Sequence, residues 1–283
     1  VIVEFFISSF SSITFCFIYL NVLLFGVYAF MNFSNIILNW YAINGRELPW
    51  RQTTDPYAIW LSEVIMQQTK IAQGTAYWER FIKRWPNVQS LANATEDEVL
   101  REWQGLGYYS RARNLHKAAQ QIVDLGYFPQ TYNELIQLKG VGEYIAAAVY
   151  SIAFAGPIAV VDGNVYRVLA RFFGIEIPID STQGKKIFKA IAQDNLPKNA
   201  PAAYNQGIMD FGAMQCTPTL PNCKVCPLIE NCFAANNNKV SSLPIKTKKT
   251  KQRERHFSYI YIRCKGKTAI RRRGKGDIWQ GLW

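Results

Sequence analysis

Charged side chains are missing from the first part of the chain. After Glu4, no acidic or basic residue occurs before Arg46, and the run ITFCFIYLNVLLFGVYAF has the length and apolarity of a membrane-spanning helix. The basic start and small-residue cleavage site of a signal peptide are also lacking. We interpret residues 1–30 as a hydrophobic extension and expect translation to begin at Met31. A membrane anchor is the alternative.

Acidic residues are scarce at the other end of the chain. Residues 246–283 contain 13 lysines and arginines but only Glu254 and Asp277, whereas residues 31–245 contain 19 basic and 17 acidic residues. The formal net charge of +12 is therefore concentrated in the tail. Such a surplus favours nucleic acid as a partner, although most of it lies outside the main body of the chain.

Cysteines spread along the chain, as in a secreted disulfide framework, are lacking as well. Of the six cysteines, four lie together in CTPTLPNCKVCPLIENC, namely Cys216, Cys223, Cys226 and Cys232. Six, two and five residues separate them, so four thiolates can converge on one centre without a long-range fold. The spacing predicts a local metal site in a reducing compartment and leaves zinc and a 4Fe-4S cluster both open. Cys16 and Cys264 are interpreted as ordinary thiols.

Residues 35–235 carry a helical pattern almost throughout. Asp55 and Pro56 form a cap followed by a first-turn proline, and apolar residues then recur to about Trp85. Thr95 and Glu98 have the spacing of a capping box at the start of another helix. No short internal repeat is visible. The pattern predicts an all-α body.

The chain changes character after this helical region. Residues 236–255 are polar, basic and poor in apolar residues, which predicts a linker. HFSYIYIRCKGKTAIRRR then alternates like a strand, turns at Lys265-Gly266-Lys267 and returns. We interpret residues 256–283 as the beginning of a β domain that is too short to bury a stable core alone.

The stretch LKGVGEYIAAAVYSIAF, residues 138–154, predicts a helix-hairpin-helix. One apolar helix ends, the chain turns through Gly140 and Gly142, and another apolar helix begins. The exposed N–H groups at the start of the second helix can bind a DNA phosphate without reading sequence. A plain glycine turn between two packed helices is the alternative. Lys139 either adds a phosphate contact or favours the end of the preceding helix.

Two acidic residues lie where their pKa values should be shifted. Asp162, in VVDGNVYRVLARFFG, directly precedes a helix whose N–H groups favour an ionised carboxylate, although it can equally be a plain cap. Glu63 shares a helix face with Ile59, Trp60 and Met66, and burial there would raise its pKa and make it a proton donor near neutrality. A solvated helix residue is the alternative. A raised-pKa acid beside an ionised carboxylate suits glycosidic bond cleavage.

Six motifs carry a family resemblance, in the order LPWR, SEVIMQQT, GLGYYSRARNL, LKGVGEY, VVDGN and the four-cysteine loop. Together they resemble the A/G-specific adenine DNA glycosylases (MutY type) of the endonuclease III-like superfamily, from about Met31 to Trp283. The resemblance implies an all-α fold of two domains. Residues 55–156 would form a six-helix domain with the hairpin, and residues 31–54 with 157–235 a domain that holds a 4Fe-4S cluster. A truncated beginning of a β-rich, Nudix-like domain would follow.

The resemblance also implies a reaction. Such enzymes flip adenine opposite 8-oxoguanine or guanine out of duplex DNA and hydrolyse its glycosidic bond. Glu63 would protonate the adenine ring, Asp162 would stabilise the oxocarbenium sugar or trap it transiently, and Tyr144 and Asn164 would organise both groups. A lysine replaces Tyr144 in relatives that also cut the strand. A phenol cannot form their Schiff base, so we expect a monofunctional enzyme that leaves an abasic site.

The other implied site residues bind DNA or the cluster, and the implied partner is duplex DNA with adenine mispairs. The expected protein is a monomer in the cytoplasm, associated with the nucleoid. By resemblance, the adenine pocket would include Arg46, Trp50 and Arg51, and the residues that enter the DNA stack would be Gln68 and Tyr108. Phosphate would be bound at Gly140 and Gly142. The cluster would be ligated by Cys216, Cys223, Cys226 and Cys232, and it would hold a basic loop with Lys224 against phosphates.

The two ends of the chain depart from the family pattern. GKGDIWQGLW is similar to the beginning of the β domain that recognises 8-oxoguanine, and the sequence then ends. We therefore expect the preference for 8-oxoguanine over guanine opposite adenine to be lost. Residues 1–30 have no counterpart in the family.

Two other functions fit parts of the sequence. A related mismatch glycosylase could act on thymine or another base, but Glu63 argues against this because a ring-protonating acid suits a purine leaving group better. A non-catalytic iron-sulfur DNA-binding protein would use Glu63 and Asp162 only structurally. Adenine excision, compared between the intact protein and Glu63→Gln, discriminates these functions.

Overall fold

The computed structural model describes residues 33–247, 254–274 and 276–282, and this part of the chain is predominantly helical, as predicted. Residues 33–44 are helical and form α1, and a 3-10 turn, Pro49–Arg51, follows. Two further 3-10 turns, Cys223–Val225 and Ile229–Asn231, lie in the cysteine loop. The remaining helices are α2 (Pro56–Met66), α3 (Ile71–Arg84), α4 (Val88–Ala92), α5 (Glu96–Glu102), α6 (Ser110–Leu125), α7 (Tyr132–Leu135), α8 (Glu143–Phe154), α9 (Gly163–Phe173), α10 (Thr182–Asp194), α11 (Pro201–Met214) and α12 (Phe233–Asn236).

None of the helices in these ranges combines the length and apolarity needed to cross a bilayer. The hydrophobic extension predicted for residues 1–30 lies outside the described residues.

The helix starts predicted from capping residues are confirmed. The Asp55 side chain accepts a 3.0 Å hydrogen bond from the Tyr57 N–H at the start of α2. At α5, the Thr95 hydroxyl accepts from the Glu98 N–H at 3.3 Å, and the Glu98 carboxylate accepts from the Thr95 N–H at 2.9 Å. These reciprocal bonds satisfy N–H groups that have no partner within the helix.

The apolar run that was predicted to continue to about Trp85 is two helices rather than one. α2 ends at Met66 and α3 begins at Ile71, and between them Gln68 has a φ of 54°, in the left-handed region. The Thr69 N–H donates to the Met66 carbonyl at 3.2 Å and closes the turn. Hydrophobic periodicity does not report this break because apolar residues continue on both sides of it.

Two hydrophobic cores hold the helices together. The first lies among α2, α3, α5, α6 and α8 and contains the fully buried Trp60 and Trp103. The second lies mainly among α1, α9, α10 and α11 and contains Phe33 and Phe211. Burial of large aromatic side chains dominates the energetics of such cores.

α8 contributes to both cores. Ile145 and Ala146 lie in the first, whereas Ala147 and Ala148 lie in the second. The half-buried Tyr144 packs against both. Because the alanines have small side chains, neighbouring helices can approach α8 on either side.

The segment before α2 connects the two cores. α1 packs in the second core, whereas Leu48 and Trp50 pack in the first. Between them, the completely buried Asp210 of α11 accepts hydrogen bonds from two arginines. Its carboxylate accepts from the Arg46 backbone N–H at 3.0 Å, from Arg46 Nε at 2.8 Å, and from Arg51 Nη1 and Nη2 at 2.7 and 2.9 Å.

The chain that follows α12 packs against the helical body in its first part. Leu243 is buried, and its carbonyl accepts a 3.1 Å hydrogen bond from Arg171. The Ile179 N–H donates to the Ile245 carbonyl at 3.0 Å. Residues up to 247 within the predicted linker are therefore fixed to α9 and to the loop that precedes α10.

The β pattern after residue 256 yields a short hairpin. β1 (Arg263–Cys264) pairs antiparallel with β2 (Lys267–Thr268). The connecting Lys265 and Gly266 have φ values of 48° and 74°, as a type I′ turn requires. The predicted turn is confirmed, whereas the paired strands are only two residues long.

We expect Asp210→Asn to lower the free energy of unfolding by about 3–5 kcal/mol, because it breaks a buried ion pair and leaves two guanidinium groups uncompensated. Although burial opposes ionisation, the hydrogen bonds from Arg51 and Arg46 hold the pKa of Asp210 below its usual value. The stabilisation is therefore present at neutral pH and is lost as the pH falls through that lowered pKa. Urea denaturation at pH 7 and at acidic pH measures both effects.

Asp124→Asn, at an exposed position of α6, is the matched control and should change the free energy of unfolding by less than about 0.5 kcal/mol. An Asp210→Asn protein as stable as this control would show that the buried ion pair of Asp210 does not stabilise the fold.

Candidate active site

Glu63 lies on α2, close to the end of the helix, and is half-buried. Burial raises the pKa of Glu63 to about 7, and the negative charge of Asp162 acts in the same direction. A hydrogen bond with Tyr144 and the positive charge of Arg51 lower the pKa but do not cancel the effect of burial. Glu63 can therefore donate a proton near neutral pH, in agreement with the sequence-based expectation.

Tyr144 is the second residue of α8 and is the hydrogen-bonding partner of Glu63. Its hydroxyl also lies 3.6 Å from the Met209 sulfur. Burial, together with the negative charges of Glu63 and Asp162, raises the pKa of Tyr144 well above its ordinary value. The group is thus a neutral phenol at physiological pH, able to donate a hydrogen bond.

Asp162 caps α9. One carboxylate oxygen accepts from the N–H groups of Asn164 and Val165, both at 2.8 Å, and the other accepts from the Asn164 side-chain amide at 2.8 Å. Burial nevertheless outweighs these bonds and the charge of Arg167, so the pKa of Asp162 is raised. The prediction that the helix N–H groups would dominate is therefore wrong in this respect, because it did not include desolvation.

Arg167 is a site residue that the sequence interpretation missed. Its Nη2 donates to the Asn164 side-chain oxygen at 2.8 Å and to the Gly212 carbonyl at 2.5 Å, while its Nε donates to the Cys216 carbonyl at 2.7 Å. The spacing contained a signal, since Arg167 follows Asn164 by three residues on one helix face. The side chain connects the cysteine loop to the residues around Asp162.

The residues predicted for the adenine pocket occupy two different environments. Arg51 is close enough to Glu63 for the arginine charge to lower the pKa of Glu63. Arg46 and Arg51 both bind the Asp210 carboxylate. Trp50 is 7% exposed and packs in the first core, with its ring centroid 5.8 Å from that of Trp78. Asp210 was missed, because no local pattern marks its long-range partners.

The hairpin turn lies at the beginning of α8, next to Tyr144. Gly140 has a φ of 77°, and a Cβ there would lie 2.6 Å from the Asn114 Cβ, so glycine is required. Gly142 is the N-cap of α8, with no side-chain cap, so the first N–H groups of the helix are free of a capping side chain. Exposed Glu143 in this first turn forms a 3.3 Å ion pair with Lys189.

Gln68 and Tyr108 lie on two exposed turns. Both have left-handed backbones, with φ values of 54° and 45°, and Tyr108 is 66% exposed. Arg111 of α6 donates hydrogen bonds to both turns and was missed, although it lies within the GLGYYSRARNL motif.

The four clustered cysteines line one small cavity of about 30 Å³. Burial raises the pKa of Cys226 to about 11, and nearby Cys216, Cys232 and Cys223 act in the same direction. Within the described ranges, no three His, Cys, Asp or Glu side chains meet closely enough to hold a single metal ion. The thiols surround a space instead of meeting at a point.

A larger cavity of about 420 Å³ opens beside Tyr144. Three lysines of α10, namely Lys185, Lys186 and Lys189, line it, but neither Glu63 nor Asp162 does. It is therefore adjacent to the carboxylates and separate from them.

Comparisons with known proteins identify the family of this chain. A family model described as HhH-GPD superfamily base excision DNA repair protein matches residues 61–196. Over 254 residues the chain is 36% identical to an adenine DNA glycosylase of Buchnera aphidicola subsp. Schizaphis graminum, which covers 89% of this chain and 73% of that protein.

Two solved structures share the fold. The structure of a thermostable thymine-DNA glycosylase superposes with a TM-score of 0.70 at 27% identity, covering 75% of this chain and 98% of that one. A non-covalent endonuclease III-DNA complex gives a TM-score of 0.63 at 22% identity, covering 72% and 94%. The adenine DNA glycosylase is more identical to this chain than either solved structure, and its alignment covers more of the chain. The chain therefore belongs to the adenine DNA glycosylases, enzymes of the HhH-GPD superfamily that remove adenine in base excision repair.

Proposed function

We propose that this protein excises adenine opposite 8-oxoguanine or guanine in duplex DNA and leaves an abasic site without cutting the strand. The proposal rests on the burial of Glu63 beside the neutral phenol Tyr144 and within electrostatic reach of Asp162, an environment that raises the pKa of Glu63 to about 7. The choice of opposite base rests on the resemblance of the six motifs to the MutY-type family.

Glu63 acts as a general acid in this proposal. The protonated carboxyl donates its proton to a ring nitrogen of adenine as the bond between the base and the sugar C1′ breaks and its electron pair leaves with the base. Water then adds to C1′ and loses a proton. The products are free adenine and an abasic deoxyribose.

Asp162 stabilises the positive charge that develops on the sugar. Its two oxygens are oriented by the N–H groups of Asn164 and Val165 and by the Asn164 amide. Its raised pKa describes the site without DNA, and an approaching oxocarbenium ion favours the ionised form. Arg167 fixes the Asn164 amide from the other side.

Duplex DNA binds at the hairpin in this proposal. The turn at Gly140 brings the first N–H groups of α8 to the surface, where they can donate hydrogen bonds to a phosphate without reading sequence. Glu143 would repel that phosphate, but its ion pair with Lys189 balances the charge. The similar endonuclease III structure is a DNA complex, which supports DNA as a partner.

We assign a 4Fe-4S cluster to the four clustered cysteines. A single tetrahedral zinc ion holds its sulfurs only about 3.8 Å apart, given Zn–S bonds of about 2.3 Å. The four thiols line one cavity, and the choice of a 4Fe-4S cluster over zinc rests on the resemblance of the motifs to the MutY-type family. When bound, the cluster would supply a rigid centre for the loop that carries Lys224, while Arg167 joins that loop to Asn164.

We expect Glu63→Gln to lower the single-turnover rate of adenine release by about 10²–10⁴-fold, because glutamine cannot protonate the base. In the unsubstituted protein the rate should fall as the pH rises through about 7, where Glu63 loses its proton. The measurement is excision from a duplex with adenine opposite 8-oxoguanine across this pH range.

Glu79→Gln, at an exposed position of α3, is the matched control and should excise adenine at the unsubstituted rate. Duplexes with thymine opposite guanine test the thymine alternative. An undiminished rate in Glu63→Gln would leave the acid with a structural role and refute the mechanism.

We expect Tyr144→Phe to slow adenine release about tenfold, the kinetic equivalent of one lost hydrogen bond of about 1.4 kcal/mol. Because the Tyr144 hydrogen bond lowers the pKa of Glu63, its removal should move the pH at which the rate falls upward. Tyr150→Phe, on the same helix, should change neither quantity. A packing role for Tyr144 would leave the pH profile in place.

Borohydride treatment during turnover should trap little covalent enzyme-DNA adduct, because Tyr144 cannot form a Schiff base. Efficient trapping would contradict the monofunctional assignment.

We expect Cys226→Ser to lower the iron and inorganic sulfide content of the purified protein and to reduce its thermal stability, since one of four ligands is lost. Cys264→Ser, an exposed cysteine outside the loop, should retain both. Stoichiometric zinc without sulfide in the unsubstituted protein would exclude the cluster.

A further inference from the structure

One arginine connects the two exposed turns beside the active site. Arg111 Nη1 donates to the carbonyls of Val64 at 3.2 Å and Ile65 at 3.0 Å, and also to that of Gln67. Arg111 Nη2 donates to the Leu106 carbonyl at 3.3 Å. A single guanidinium therefore holds the end of α2 and the turn that precedes α6.

The chemistry of a helix end explains why an arginine is needed here. The last carbonyls of α2 have no partner within the helix and carry the negative end of its dipole. A guanidinium offers several donors in one rigid plane, whereas a lysine ammonium is a compact charge on a flexible stem. Arg111 also lies over the rings of Trp103 and Tyr108, at 5.1 and 5.7 Å from their centroids.

Each of the two turns carries an exposed residue in an unfavourable backbone conformation. Gln68 follows the carbonyls of α2 that Arg111 binds, and Tyr108 lies two residues after Leu106. Left-handed backbone at a residue other than glycine costs free energy and persists only where the surroundings impose it. Hydrogen bonds from the Arg111 side chain reach both turns.

We propose that Arg111 is a positioning residue that fixes Gln68 and Tyr108 relative to each other, so that both enter the DNA stack together as adenine leaves it. This inference rests on the proposed function, because it assumes that the protein flips its target base. Arg111 touches neither the base nor the sugar. Arg111 acts on the step in which adenine leaves the DNA stack, before Glu63 transfers a proton to the base.

This role predicts a difference between substrates. Flipping costs most when the target is paired and stacked and least when it has no partner base. Loosening the two turns should therefore slow excision of a paired adenine, whereas an adenine that is already unpaired should react almost normally. A loss of folded or active protein would lower both rates by the same factor, so their ratio isolates the positioning role.

The experiment compares Arg111→Lys and Arg111→Gln with the unsubstituted protein in single turnovers at saturating protein. One duplex carries adenine opposite guanine, and the other carries adenine opposite a stable abasic analogue. We expect the Gln variant to lose about 10²-fold on the paired duplex and the Lys variant a smaller factor. Both variants should lose less than about threefold on the unpaired duplex. Lys117→Gln, an exposed charge on the same helix, should match the unsubstituted protein on both.

A second readout is independent of chemistry. In the Glu63→Gln background, a duplex with 2-aminopurine at the target position should fluoresce more strongly on binding, as the base unstacks. Arg111→Gln should reduce this rise and Lys117→Gln should not. Equal losses on both duplexes, or an unchanged fluorescence rise, would overturn the inference. Failure of the proposed function would appear separately, as absence of adenine release from the unsubstituted protein.

Discussion

α8 can serve two hydrophobic cores only because the residues it buries are mostly small. Ala146 faces the first core and Ala147 and Ala148 face the second, so helices pack closely against opposite sides of one helix. Packed interiors are nearly incompressible, and a helix held on both sides has little freedom to shift. Tyr144, at the beginning of this helix, thus has its hydroxyl held between Glu63 of α2 and Met209 of α11.

The distribution of buried charge allows the pKa of Glu63 to stay near 7. An unpaired arginine beside a carboxyl group favours its ionised form and lowers its pKa. Arg51 is such a neighbour, but the buried Asp210 carboxylate binds it bidentately and partly neutralises its charge. Desolvation therefore remains the largest influence on the pKa of Glu63. The ion pair between Asp210 and Arg51, which connects the two cores, therefore also limits how far Arg51 lowers the pKa of Glu63.

The sequence was informative where the cause of a structure is local. The caps at Asp55 and Thr95, the turn at Gly140 and the apolar neighbours of Glu63 all depend on residues within a few positions, and the structure agrees with each. Causes that act over long distances in sequence were not accessible. α2 ends where Arg111, more than forty residues later, binds its last carbonyls. The same applies to Asp210, whose partners precede it by 164 and 159 residues.

Asp162 shows a different limit, because its local hydrogen bonds were predicted correctly and its pKa was not. Helix N–H groups favour the anion, but the depth of burial depends on how α9 and α11 pack. Gly212 of α11 approaches Asn164 so closely that a Cβ there would lie 2.7 Å from the Asn164 Cβ. Electrostatics at such a site follow from tertiary packing, which a motif does not encode.

The residues assigned to chemistry and to DNA lie at or near helix ends. Gln68 follows the last turn of α2, Tyr144 is in the first turn of α8, and Asp162 caps α9. Helix ends expose N–H and C=O groups without partners, so they can bind phosphate or orient a carboxylate, but they also fray unless another group binds them. In this protein Arg111 binds the carbonyls at the end of α2, while Arg167 binds the carbonyls of Gly212 and Cys216 at the end of α11. A helical scaffold that places its reactive groups at helix ends needs such arginines, because hydrophobic packing holds the middle of a helix better than its ends.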